Sequence, residues 1–202
     1  MKLYFYPGAC SMAVHIVLRE ADYRFDLDRV DLMTKQTEGG EDYARVNPKG
    51  YVPALRLDDG EVLTEAAAIM QYLADNKPAA GLAPKPGTRE HYRLIEWLNF
   101  IATEIHKSLG ALFNPAITPE WKADRIAQFE RYCDFLVDAL ADRPYLLGEN
   151  FSIADAYLFT VLGWTGLFQI DLGRWPALQS YVGRIAARPM VREAMRAEGL
   201  DA

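Results

Sequence analysis

The chain has 202 residues, half of them hydrophobic and a quarter charged, a balance that supports a packed core and excludes a disordered chain. Its 22 basic and 28 acidic residues leave a net charge of −6 with no dense Lys/Arg run, which excludes the concentrated positive charge that nucleic acid requires. No stretch of about 18 uncharged apolar residues exists to span a bilayer, the opening apolar run is too short for a secretory leader, and two cysteines, Cys10 and Cys133, are too few for a disulfide scaffold, so the expected compartment is the cytoplasm.

Residues 2–6 read as a short strand stopped by Pro7-Gly8. Ala13, Val14, Val17, Leu18 and Ala21 then recur at helical spacing, with Arg19, Glu20 and Asp22 on the other side. Residues 25–31 alternate apolar and charged, predicting a strand with one buried face, and 41–46 predict a brief helix. Val52–Leu57 and Glu61–Leu63 flank Asp58-Asp59-Gly60 as a hairpin, and Thr64 is the expected cap of a helix over Ala66–Asn76. This β-α-β-α-β-β-α order predicts a small α/β domain with a mixed sheet over residues 1–77.

Residues 78–88, rich in proline and glycine, predict a linker, and 89–202 an all-helical domain. One apolar stripe runs through Leu94, Leu98, Ile101, Ile105, Leu109 and Leu112, and a second through Ile126, Phe129, Cys133, Leu136 and Leu140. Phe151–Phe168 is apolar nearly all round and predicts the central buried helix, opened by a capping-box-like Ser152-Ile153-Ala154-Asp155.

Four features carry possible chemistry. Cys10 lies where a strand gives way to a helix, and the helix-start amides favour thiolate, the reactive form; the bland alternative is a small buried hydrophobe. Val52-Pro53 is the second, although most X-Pro bonds are trans and proline is tolerated at a strand start regardless. Glu65 and Ala66 open a helix whose amides suit a carboxylate, with Glu65 able to meet an adjacent ammonium; an acidic residue in a first turn is also ordinary. Asn99, Thr103, His106 and Lys107 fall on one helix face at i, i+4, i+7 and i+8, a line of about 12 Å, against about 10 Å for an extended tripeptide. An ordinary solvated face explains the same spacing. His15 and His91 read as structural or surface residues, and the scattered histidines and cysteines predict no metal. No Gly-x-Gly-x-x-Gly or Walker loop is present.

Together these blocks resemble the bacterial beta-class glutathione S-transferases over essentially the whole chain. The likeness is carried by Lys2-Leu3-Tyr4, Pro7-Gly8-Ala9-Cys10-Ser11, Val30-Asp31-Leu32 with Lys35, Asn47–Leu55, Leu63-Thr64-Glu65 and Ala68–Asp75. In the second half Glu96–Lys107 and Phe151–Phe159 carry it. The resemblance implies a thioredoxin-like N-terminal domain with a four-stranded mixed sheet, an all-α C-terminal domain and a homodimer. It implies transfer of glutathione, as co-substrate, to a hydrophobic electrophile. Val52-Pro53 would be a cis step whose Val52 backbone pairs with the cysteinyl part, Glu65 and Ala66 would hold the γ-glutamyl end, and Lys35 the glycyl carboxylate. Cys10 would face the sulfur and form a mixed disulfide with it. Asn99, Thr103, Glu104, His106 and Lys107 would line the cleft, with His106 near the sulfur. Many relatives carry serine where Ala66 stands, and the lost hydrogen bond is worth about 1 kcal/mol, or about fivefold in affinity. Two alternatives remain beside conjugation: thiol-disulfide exchange at Cys10, and a non-catalytic ligand carrier.

Overall fold

The computed structural model describes residues 1–200. One mixed sheet is built from β1 (Lys2–Phe5), β2 (Asp26–Asp31), β3 (Gln36–Thr37), β4 (Ala54–Arg56) and β5 (Val62–Thr64), in the order β3-β2-β1-β4-β5. β1 and β2 run parallel, with Leu3 opposite Leu27, and the other pairings are antiparallel. A parallel pair requires a crossover, and α1 (Ser11–Glu20) supplies it. The expected four strands are present; the fifth is two-residue β3, which returns against β2 after Lys35 turns the chain at φ 58°.

Alternation along the strands sends Leu3, Phe5 and Leu55 to one face, beneath α1 and α3 (Ala66–Asn76). Tyr4, Val30 and Ala54 go to the other, with Tyr43 and Val46 of α2 (Tyr43–Val46). β2 therefore does not have the single buried face its alternation predicts. It lies inside the sheet, and its buried Asp28 is met by Lys2 Nζ at 3.1 Å and the Gly39 N–H at 3.1 Å. The cap of α3 also differs: Thr64 is used in β5, paired with Ala54, so Glu65 becomes the N-cap.

The second half is helical: α4 (Arg89–Phe100), a π-helical turn (Ile101–Ile105), α5 (His106–Gly110), α6 (Pro119–Leu140), α7 (Ile153–Leu162), α8 (Pro176–Ala186) and α9 (Pro189–Ala197). Both apolar stripes are buried except Ile126, which is partly so. Every residue of α7 is buried. Its box closes as the sequence predicts: Asp155 accepts from the N–H of Ser152 (2.8 Å) and of Leu146 (2.9 Å), and from the hydroxyls of Ser152 (2.7 Å) and Tyr181 (2.9 Å). The helix ends sooner than the apolar run suggests. Gly163 and Gly166 weaken it, and Gly163–Phe168 winds as tighter 3-10 turns.

α1 joins the halves. It packs on α3 and also on α7 and α9, so Ser11–Leu18 are buried throughout and the expected polar side shrinks to its last turn. There Arg19 meets Glu193 at 3.2 Å and Glu20 takes a two-pronged bond from Arg188 at 2.7 and 2.8 Å. The stretch 78–88 is docked rather than loose: Leu82 is buried and its carbonyl accepts the Ile153 N–H at 3.0 Å. Among the described residues no helix is long and apolar enough to cross a membrane.

Candidate active site

The loop after β1 is held from the other half of the chain. Gly8, at φ 70°, a conformation that suits glycine, donates its N–H to Glu198 Oε2 at 2.9 Å and accepts the Trp164 Nε1–H at 2.7 Å. The second Glu198 oxygen meets His15 Nδ1 at 2.8 Å, while Arg19 Nε donates to His15 Nε2 at 2.8 Å. Arg19 has only hydrogens to give, so His15 Nε2 is the acceptor and Nδ1 carries the hydrogen. His15 is thus the structural residue its sequence context suggests, fully buried and bonded at both nitrogens.

Cys10 follows as the N-cap of α1, and its S–H donates to the Val52 carbonyl at 3.2 Å. The backbone amides of the helix start do pull its ionisation downward, as does Lys107. Burial outweighs both and pushes the thiol up to about 12. The expected thiolate is therefore a thiol here.

Opposite stands the Asn47–Val52 segment. Asn47 Nδ2 and the Tyr43 hydroxyl both donate to the Tyr51 carbonyl at 2.7 Å, and Lys35 Nζ donates to the Gly50 carbonyl at 3.0 Å. The Val52-Pro53 peptide bond is cis. Glu65 sits at φ 71°, ψ 115°, a backbone state that costs a non-glycine residue about 1–3 kcal/mol. Its side chain does not cap α3, so the first amides of that helix, from Ala66 on, have no side-chain partner. The carboxylate swings outward and pairs with Lys49 Nζ at 2.5 Å.

The 99–107 face divides at the π-helical turn. One extra residue in that turn resets the angle of everything after it. Asn99, Thr103 and Lys107 remain exposed, Asn99 bonded to the Ile95 carbonyl (2.8 Å) and Thr103 to the Asn99 carbonyl (3.0 Å). Glu104 is drawn toward α6, accepting the Tyr132 hydroxyl at 2.5 Å. His106 turns inward instead. Its Nδ1 is 2.7 Å from the Tyr157 hydroxyl, and its ring stands edge-on to Trp164 with centroids 4.9 Å apart. Burial, then Lys107, pushes its imidazole down to about 4, so it is neutral at pH 7.

Glu65 and Lys107 act on the ionisation of both Cys10 and His106, and Cys10 and Glu65 act on that of Tyr157. Val52 joins them through its bond to Cys10. Asn99 and Thr103 make local bonds, Glu104 reaches Tyr132 of α6, and Lys35 stands at Gly50. Tyr157, Trp164 and Glu198 are absent from the sequence reading. The first two lie within an apolar run that reads as core, and the third has no local pattern. Leu112 is buried core, and beside it Phe113 is exposed and stands edge-on to Trp164 (5.4 Å) and Phe168 (4.8 Å). Among the described residues no group of three or more His, Cys, Asp or Glu is gathered as for a metal.

Two family models match the chain: the glutathione S-transferase N-terminal domain over residues 8–76 and the C-terminal domain over 119–184. Glutathione S-transferase GstA of Escherichia coli O157:H7 is 49% identical over 99% of this chain and 100% of its own. A ternary complex of BphK, a bacterial GST, superposes with a TM-score of 0.97 at 52% identity, over 99% of this chain and 100% of that one. A bacterial beta class glutathione S-transferase from Sphingomonas chungbukensis does so at 0.96 and 48% identity, with the same coverage.

Proposed function

Because the chain belongs to the glutathione S-transferase family, in its bacterial beta class, we propose which of its residues hold the tripeptide and which activate it. The protein is a glutathione transferase with glutathione as co-substrate. The open amides at the start of α3, with Ala66 first, receive the γ-glutamyl carboxylate. Glu65 exchanges Lys49 for the neighbouring ammonium. The Val52 backbone, ahead of Pro53, pairs with the cysteinyl residue, and Lys35 meets the glycyl carboxylate. Asn99, Thr103, Glu104 and Lys107 line the facing wall. The sulfur lands between Cys10 and His106.

The observation that carries this reading is the state of Cys10. A thiol held at about 12 is a poor nucleophile at neutral pH. The attacking atom is therefore the glutathione sulfur, ionised beside the Lys107 charge and a neutral His106 N–H. It attacks an electrophilic carbon, forming the C–S bond as the leaving group departs with its electron pair. Phe113, Trp164 and Phe168 supply an apolar surface for a hydrophobic electrophile. Cys10 forms a mixed disulfide only with oxidised glutathione: its sulfur attacks one sulfur of the disulfide, its proton passes to the departing sulfur, and reduced glutathione leaves.

The same reading divides the chain into a glutathione-binding domain (1–77), a linker (78–88) and a helical domain (89–202). It also makes the protein a homodimer, which would cover exposed rings such as Tyr92 and Phe135 on α4 and α6, and a cytoplasmic enzyme, in keeping with free Cys10 and Cys133. The test is conjugation of an activated aryl halide at increasing glutathione. Saturation is expected, and Glu65→Gln should raise KM for glutathione about tenfold or more, the worth of a charge-assisted hydrogen bond. No heat of glutathione binding and no rate above the spontaneous one would overturn the proposal.

A further inference from the structure

We propose that Tyr157 is a positioning residue for this reaction: its phenol locks the His106 imidazole in the tautomer that presents Nε2–H to the glutathione sulfur. The inference rests on the role given above to His106. Tyr157 lies midway along α7, a helix that is otherwise almost entirely apolar, and it is 3% exposed. Phenylalanine would fill the same volume, so the hydroxyl needs its own explanation.

A buried phenol O–H requires an acceptor. Among the described residues the partner of the Tyr157 oxygen is His106 Nδ1, at 2.7 Å. If Nδ1 carried the hydrogen, the phenol would accept and its own O–H would be left unmet in the interior. The O–H therefore donates and the Nδ1 lone pair accepts. A neutral imidazole has one hydrogen, which must then be on Nε2.

The surroundings keep both groups in these states. The charged and titratable groups acting on His106 are Lys107 from its own helix and Glu65 from the start of α3; Cys10 and Glu65 act on Tyr157. Burial, ahead of Cys10 and Glu65, holds the phenol well above its ordinary range, so it stays a donor. Two rings fix the imidazole plane: Tyr157 stands to it at 88° and Trp164 at 74°. On the open side Nε2 has no bonded partner among the described residues. A side-chain carbon at Gly110 would stand 3.9 Å from it, and glycine leaves that approach free. A fixed N–H aimed at an arriving sulfur stabilises the thiolate without reorganising when the thiol ionises.

Tyr157→Phe in the full chain tests this. Nitrogen-15 NMR of the wild type should show His106 as the Nε2–H form, and the variant a mixture with Nδ1–H. With a saturating aryl halide, kcat should fall about tenfold or more, the worth of one hydrogen bond to an anion, while KM for glutathione stays put. The acid limb of the pH–rate profile should move to higher pH, because bound glutathione ionises less readily. A wild-type His106 in the Nδ1–H form overturns the positioning, and needs no variant to fold. An unchanged tautomer and pH profile in Tyr157→Phe overturns it as well. Unchanged conjugation in His106→Ala would instead remove the role of His106 on which both proposals stand.

Discussion

Acid should weaken this protein through one imidazole, by an amount the structure sets. His106 is pushed from 6.5 down to about 4, first by burial and second by Lys107. As pH falls below about 6.5 the unfolded chain takes up a proton there, and the folded protein does not until about 4. Across that window the unfolded state binds more protons, so stability drops with pH; above it the whole contribution is present. A tenfold gap in proton affinity is about 1.4 kcal/mol, so the full gap is worth about 3 kcal/mol and the part lost by pH 5 about 2 kcal/mol. Carboxylates titrate in the same range, so the quantity to measure is a difference. Urea unfolding of wild type and His106→Gln at pH 7.5, 6.5, 5.5 and 4.5 should give curves that converge by about 2 kcal/mol toward acid. Parallel curves would refute the reasoning, as would an NMR titration placing His106 near 6.5.

Two further outcomes follow from the geometry. Cys10, with its thiol pushed up to about 12, should react with iodoacetamide at pH 7.5 on the order of a hundredfold more slowly than glutathione in solution; comparable rates by mass spectrometry would show an ionised thiol. Glu198→Gln puts an amide hydrogen against either the Gly8 N–H or the His15 N–H, both of which now find an oxygen. Stability should fall by about 1–3 kcal/mol and KM for glutathione should rise; a loss below about 0.5 kcal/mol in urea unfolding would mean that the Gly8 loop holds without it.

What was legible in the sequence was what repeats locally. The stripes of α4–α6 and the nearly all-apolar α7 were readable because burial on a helix imposes a period, and the box at Ser152 because both partners lie within four residues. The hairpin at Asp58-Asp59-Gly60 was readable for the same reason. The misses share a cause: each depends on what the chain meets far away. α1 looks two-sided until α7 and α9 cover its outer face. Thr64 looks like a cap until Ala54 claims it. His106 falls in line with Asn99 and Lys107 on an ideal helix, and the π-helical turn that diverts it leaves no mark in composition. Cys10 presents the opposite case. The sequence places it at a helix start and shows the amides nearby, but not the burial that outweighs them.

The bond from Gly8 to Glu198 spans 190 positions of chain. A ribosome releases residue 198 long after residue 8, so a nascent chain has its sheet and ligand-side helices available well before this loop is tethered. Final shaping of the loop after β1 thus waits until Glu198 has been made. A chain ended at residue 197 would keep every side chain proposed to touch glutathione and still lack the clasp beside Cys10.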